Sequence, residues 1–196
     1  MSDIKIGVIL GSVREIRRGG RVAKWLMPQL DKLGGANYEL LDLRGYPLPF
    51  FSESNSPEGL ERNYTNEVAQ KWSAKIDEMD GFIIITSEYN HGIPGVLKNA
   101  LDWLYLEWNR KPVGFVSYAP GAIGGARGVE QLRQNVIELQ MAPMREALHI
   151  SNVLDRLDEE GNLLKGHSNE MLEVTVAELL WWTKALKNAR DEGNGK

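Results

Sequence analysis

The apolar residues of this chain switch repeatedly between two spacings, and that alternation constrains the fold more than any other feature. Ile4 to Leu10, Tyr38 to Leu43, Phe82 to Thr86 and Val113 to Ser117 are short and rich in β-branched or aromatic residues, so they read as strands. Arg145 to Ile150 is a fifth, less regular strand: Leu148 and Ile150 alternate, but the segment opens with polar residues. The intervening segments carry apolar residues at helical spacing. Val22, Leu26, Leu30 and Leu33 form one stripe, Val68, Trp72, Ile76 and Met79 a second, and Val129, Leu132, Val136 and Leu139 another. Val96 to Leu104 holds a shorter stripe, and a last helix is expected from about Asn169 to Ala189, with Leu172, Val176, Leu179, Leu180 and Leu186 facing inward.

Strands that alternate with helices imply a parallel sheet, because parallel neighbours need a crossover long enough to hold a helix. The run Ile83-Ile84-Ile85 suits a central strand covered on both faces. Five strands and five helices in 196 residues fit an α/β fold of the flavodoxin-like type. This is a three-layer sandwich around a five-stranded parallel sheet in the order 2-1-3-4-5. Residues 1–190 are expected to form one domain, with 191–196 a polar tail. Arg44 to Asn63, with Pro47, Pro49 and Pro57, is a long surface loop, and Val153 to Lys165 contains a turn that could close a small hairpin.

Composition narrows the functional classes. A net charge of -4 gives no general attraction for nucleic acid or an anionic membrane, so any anion site must be local. The chain has no cysteine, which removes disulfides, thiolate metal sites, cysteine nucleophiles and iron–sulfur clusters and fits a cytoplasmic protein. The start of the chain has no secretory pattern, no apolar run approaches the ~20 residues of a membrane span, and the histidines show no metal-ligand spacing.

In an open α/β sheet, ligands bind beyond the carboxyl ends of the strands, near the reversal of strand order. The segments after strands one, three and four are therefore the informative ones. Gly11 to Gly19 follows strand one and leads into a helix, with Ser12, Arg14, Arg17 and Arg18 among its residues. Free amides, a helix start, a hydroxyl and guanidinium groups are the parts of a phosphate site, although a solvated basic loop has the same composition. The segment is neither a dinucleotide fingerprint nor a P-loop. After strand three, Ser87-Glu88-Tyr89-Asn90-His91-Gly92-Ile93-Pro94-Gly95 brings polar groups, a ring and backbone donors together. They suit the polar edge of a planar ligand such as a flavin. An ordinary connection in which Glu88 and Asn90 cap the next helix is the alternative. After strand four, Ser117, Tyr118 and the glycines through Gly124 and Gly125 allow close backbone approach, as would a plain turn.

Taken together, Gly11-Ser12-Val13-Arg14, the long stretch Glu88 to Trp103, and Ser117-Tyr118 with Gly124-Gly125 resemble the NAD(P)H-dependent FMN reductases, which include quinone, azo-dye and chromate reductases. The resemblance spans nearly the whole chain. It implies bound FMN as cofactor, NADPH or NADH as electron donor, a ping-pong reaction and a small-molecule acceptor such as a quinone. It also implies that Ser12 and Arg14 hold the FMN phosphate, with Arg17 as a charged donor where many relatives have serine. Glu88, Tyr89, Asn90 and His91 would line the flavin ring, and Ser117, Tyr118 and Gly124 its other edge. No catalytic acid or base is assigned. Ser87 stands where many relatives have proline, and Ala119 where many have glycine, which matters if that position needs positive φ. A homodimer or homotetramer is expected, with Asp102 to Trp108 as interface candidates against a core role, and Trp181-Trp182 divided between core and surface or interface. The alternatives are a flavodoxin-type electron carrier without NAD(P)H turnover and a nucleotide-binding regulator that has lost flavin.

Overall fold

In the computed structural model, which describes residues 4–164 and 170–193, the five apolar segments are the strands of one sheet. They are β1 (Lys5–Leu10), β2 (Asn37–Asp42), β3 (Gly81–Ser87), β4 (Pro112–Tyr118) and β5 (Ala142–Ile150). Their order is β2-β1-β3-β4-β5 and every neighbouring pair is parallel. β5 begins at Ala142 because Ala142 and Pro143 already pair with Pro112 and Val113. The register then shifts between Val113 and Phe115, so the polar Arg145 and Glu146 that blurred the strand pattern fall in the irregularity.

Among the described residues, six helices cover the sheet: α1 (Gly19–Leu33), α2 (Glu67–Asp77), α3 (Gly95–Asp102), α4 (Ala126–Glu138), the short α5 (Val153–Arg156) and α6 (Glu170–Asp191). The expected start of the last helix at Asn169 lies outside the described residues. On one face of the sheet, Val22, Leu26 and Leu30 of α1 pack with Leu172, Val176 and Leu179 of α6. On the other, α2, α3 and α4 bury Trp72, Ile76, Leu97, Leu101, Val129, Leu132 and Val136. Leu157 and Leu163 form the antiparallel bridge of a small hairpin; Lys165, at the end of that expected segment, is outside the described residues.

Two expectations about aromatic residues are corrected by packing. Trp103, Leu104, Glu107 and Trp108 are enclosed within the chain, so they belong to the core and not to an interface. The reason is visible in their partners: Trp108 packs edge-on against Phe82 at 5.1 Å, and Tyr64 Oη donates to the buried Glu107 carboxylate at 3.0 Å, where Ser73 also donates. Trp181 and Trp182 both face outward and touch each other at 5.2 Å. The buried line of α6 runs through Leu172, Val176, Leu179 and Thr183, which leaves residues 181 and 182 off that line.

The long loop after β2 opens with a single 3₁₀ turn, Leu43–Gly45, and is tied to α3. Asn99 Oδ1 accepts from Phe51 N at 3.1 Å, its Nδ2 donates to Pro49 O at 2.9 Å, and Trp103 Nε1 donates to the same carbonyl at 2.7 Å. At the opposite edge of the sheet, Lys111 Nζ donates to Ile76 O at 2.8 Å and Asp77 O at 3.1 Å, closing the C-terminus of α2. Burial pushes the Lys111 ammonium down to about 8.

Candidate functional site

The segments after β1, β3 and β4, called loops 1, 2 and 3, meet at the carboxyl edge of the sheet around two adjoining clefts. The first, about 170 Å³, lies among Arg14, Arg18, Ser87, Glu88, Tyr89, Tyr118 and Pro120. The second, about 330 Å³, lies between loops 2 and 3 and is bordered by Asn90, His91, Ile123 and Arg127. Glu88 and Pro120 border both, so the two form one continuous depression. Its size falls in the range of small-molecule sites.

Loop 1 leaves the sheet when Gly11 N donates to Ile85 O at 2.9 Å. From there to residue 16, no amide of residues 12–16 donates to another described residue. Among the described residues, the guanidinium groups of Arg14 and Arg18 also have no acidic or hydrogen-bonding partner. α1 begins immediately after, with no side-chain cap and no acid in its first turn. Unpaired amides, two free guanidiniums and an uncapped helix start are a donor set with no acceptor of its own, which is the chemistry that a phosphate monoester requires. Ser12 is buried, its Oγ 3.5 Å from Tyr89 Oη, so loops 1 and 2 meet there.

Arg17 is placed differently from Arg14. Its Nη1 donates to Asp42 Oδ1 at 2.6 Å and to Ser12 O at 2.9 Å, and its Nη2 pairs with Asp42 Oδ2. The guanidinium expected to contact a phosphate is therefore used to fold its own loop against the end of β2. Burial pushes the Asp42 carboxyl up, but the Arg17 pair and the Arg44 amide outweigh it and hold the group below the usual carboxylate range.

Loop 2 is a miniature hairpin. Tyr89 N donates to Gly92 O at 2.8 Å and Gly92 N donates back to Tyr89 O at 2.9 Å. Asn90 and His91 between them both have positive φ, 50° and 67°, as a two-residue type I′ turn requires. The expected capping role of Glu88 and Asn90 is not what forms: α3 starts after Pro94 with no side-chain cap. Instead α4 supports the loop. Gln131 Oε1 accepts from Ile93 N at 2.8 Å, and Arg127 reaches Glu88 Oε1 through Nε at 2.6 Å and through Nη2. Burial raises the Glu88 carboxyl, but Arg127 more than offsets this and its pKa is lowered overall.

In loop 3 the expectation for Ser117 and Tyr118 divides, because β4 continues through both and successive side chains of a strand point to opposite faces. Ser117 is fully enclosed. Its hydroxyl donates to Gly124 O at 2.7 Å and lies 2.6 Å from His149 Nδ1. A serine has one proton, so His149 Nδ1–H must be the donor of that second bond. Tyr118 points to the α1 face, close enough to Gly19 that a Cβ there would stand 2.6 Å from its Oη. Burial pushes the Tyr118 phenol above its usual range. Ala119 is not among the positive-φ residues; the left-handed positions of loop 3 are Gly124 and Gly125, which adjoin the start of α4.

Arg127, Asp42 and Arg44 do not stand out as site residues in the sequence, whereas Arg18 does as a member of the basic cluster after strand one. Arg127 had a visible signal, a cation directly after Gly124-Gly125-Ala126 at a helix start. Asp42 and Arg44 had none, because nothing in the sequence links β2 to loop 1.

The chain is similar in sequence and in fold to proteins of known activity. An NAD(P)H-dependent FMN reductase of Schizosaccharomyces pombe is 40% identical over 146 residues, covering 74% of this chain and 72% of that one. A 2-hydroxy-1,4-benzoquinone reductase of a Burkholderia species is 29% identical over 189 residues, covering 92% and 97%. Among solved structures, the flavoenzyme NAD(P)H:(acceptor) oxidoreductase FerB of Paracoccus denitrificans matches in fold with a TM-score of 0.74 at 23% identity, over 93% of this chain and 98% of that one. Residues 4–155 match the family described as NADPH-dependent FMN reductase, a span that runs from β1 into α5 and contains all three loops, and the chain belongs to that family.

Proposed function

We propose that this FMN-dependent NAD(P)H oxidoreductase works by ping-pong turnover and delivers its electrons to small acceptors of the quinone class. The observation that carries the reading is the unmatched donor set of loop 1 beside an open second cleft. Ser12, the free amides of loop 1, Arg14 and Arg18 would hold the FMN phosphate. The tip amides of Asn90 and His91, with Glu88, Tyr89 and Gly124, would line the ring. When bound, FMN supplies hydride acceptance from NAD(P)H and electron delivery to the acceptor. The chain contributes position, amide dipoles and a wall against competing reactions. Tyr118 forms part of that wall, Ser117 holds loop 3 in shape, and Arg17 does the same for loop 1.

The second cleft, about 330 Å³, is open and adjoins the first, which supports sequential use of one site by donor and acceptor. A quinone also fits the name of the Burkholderia relative. A homodimer or homotetramer belongs to the same proposal: Phe50 is 84% exposed beside a groove of about 540 Å³ that Tyr105 and Leu139 line. Sedimentation at micromolar concentration tests it, and a monomer overturns it. Among the described residues no helix is long and apolar enough to cross a membrane. We place the protein in the cytoplasm, where NAD(P)H is available, and cell fractionation tests that assignment.

The deciding experiment is an absorbance spectrum of the purified protein followed by initial-rate kinetics with NADPH or NADH and a benzoquinone. An oxidised-flavin spectrum and parallel double-reciprocal lines are expected. Intersecting lines overturn the ping-pong order. Bound flavin with no NAD(P)H oxidation above background overturns turnover and restores the electron-carrier alternative.

A further inference from the structure

The phosphate loop is shaped from outside the cleft by residues of a neighbouring strand. Asp42 is the last residue of β2 and pairs in register with Leu10, the last residue of β1, so it stands directly beside the start of loop 1. Its carboxylate grips Arg17 with both oxygens, and Arg17 Nη1 also reaches back 2.9 Å to Ser12 O, closing residues 12–17 into a compact turn. Two residues further along, Arg44 Nη2 donates to Arg14 O and, at 2.8 Å, to Glu15 O. The 3₁₀ turn that positions Arg44 is itself started by Asp42, whose Oδ1 accepts from Arg44 N at 2.9 Å.

These contacts have a consequence for the amides. In a trans peptide the carbonyl and the following N–H point in opposite directions, and the described residues contain no cis peptide. Two arginines, both bonded to Asp42, bind the carbonyls of residues 12, 14 and 15. The N–H groups of Val13, Glu15 and Ile16 therefore each point away from the arginine that holds the preceding carbonyl. None of those amides donates to a described residue. Cations on the outside thus orient peptide dipoles whose positive ends face away from the clamp.

We propose that Asp42, Arg17 and Arg44 are positioning residues for the phosphate of the bound nucleotide: they act through the carbonyls of loop 1, so that three backbone amides converge on the anion while Arg14 and Arg18 stay free to meet it. The inference rests on the FMN reading above. It assigns Asp42 and Arg44 a part in ligand binding although neither lines either of the two clefts of the site, and it moves Arg17 from direct contact to the clamp. The fork of Arg17 is the reason for an arginine at this position, since a lysine offers a point charge and cannot hold both carboxylate oxygens and a carbonyl in one plane.

The test separates shape of the loop from general stability by comparing two flavins that differ only in the phosphate. Flavin-free protein is titrated with FMN and with riboflavin, following quenching of flavin fluorescence, for wild type, Asp42→Asn, Arg17→Lys and Arg44→Met. The expected result is that each variant loses about tenfold or more in FMN affinity while its riboflavin affinity stays within about twofold, so the preference for the phosphorylated ligand falls. Asp42→Asn combined with Arg17→Lys should be no worse than either alone, because both break the same link. Equal losses for FMN and riboflavin, or an unchanged preference, overturn the clamp. Arg44→Met, which leaves the Asp42–Arg17 pair in place, decides the matter by the same ratio should Asp42→Asn fail to fold. A wild type that binds no FMN overturns the flavin reading itself, an outcome distinct from wild type binding FMN with every variant alike.

Discussion

Arg127 Nη1 stands 2.7 Å from Nε2 of His91, at the tip of loop 2. A guanidinium only donates, so the imidazole accepts at Nε2 and carries its proton on Nδ1. The same arginine pairs with Glu88, whose side chain is almost fully buried, so one residue of α4 holds both the base and the tip of the hairpin.

Replacing Arg127 by methionine removes that support. Arg127 is half exposed, so solvent screens the pair, and a loss of about 1 kcal/mol at neutral pH is expected. The sign with pH follows from the lowered Glu88 carboxyl. Its contribution is present above the ordinary carboxylate range and is lost as pH falls through the lower folded value. Urea titrations at neutral pH and in acid should show a gap between wild type and Arg127→Met that narrows in acid. A gap that is constant with pH contradicts the assignment.

Arg14→Ala and Arg18→Ala should leave unfolding temperatures unchanged, since neither guanidinium has a partner among the described residues. FMN affinity should drop about tenfold in each, with a weaker dependence on salt than in wild type. Fluorescence titration at two ionic strengths measures both effects. Unchanged affinity in both variants would remove the arginines from the phosphate site.

Ser117→Ala leaves Gly124 O and His149 Nδ1 without their shared partner in a fully enclosed position. A loss of about 1–3 kcal/mol follows from the unsatisfied groups. Because Gly124 belongs to loop 3, FMN should also dissociate faster, which stopped-flow release into excess apoflavodoxin would record. Destabilisation with unchanged release would confine Ser117 to folding.

Lys111 gives an alkaline signature. Burial holds its ammonium at about 8, below its unfolded value, so the unfolded chain binds more protons once pH exceeds the folded value. Stability from this group is lowest below pH 8 and rises as pH climbs from there towards the unfolded value, by on the order of 3 kcal/mol. Lys111→Met should lack that rise. Guanidinium unfolding at pH 7, 8 and 9 would show it as a difference of slopes, and parallel curves would count against it.

The sheet was legible because burial on both faces leaves an unmistakable run in Ile83, Ile84 and Ile85, and because Val22, Leu26 and Leu30 could face only one way. Strand five blurred where Arg145 and Glu146 sit in a register shift, which no alternation rule anticipates. The site was legible as three loops but not as a network. Arg14 and Arg17 look equivalent in sequence, and only Asp42, across a β-strand pairing, makes one a free donor and the other a brace. Ser117 and Tyr118 look like one motif, yet the strand runs through both and sends them to opposite faces. The tryptophans at 103 and 108 stay divided in the sequence between an interface and the core, because aromatic density does not reveal which rings find partners; here Phe51, Phe82 and Trp72 supply them.

The turn at Asn90 and His91 also limits how this site can vary. Both residues are left-handed, and the bonds between Tyr89 and Gly92 leave room for two residues between them and no others. A single insertion or deletion would change the turn class and rotate the tip away from the cleft. Substitution is therefore the route by which this rim can be retuned for a new acceptor, with Asn, Asp and Gly the residues that the backbone tolerates best. A mutant library that holds the length of this tip constant should keep folded members, whereas one that varies it should lose them.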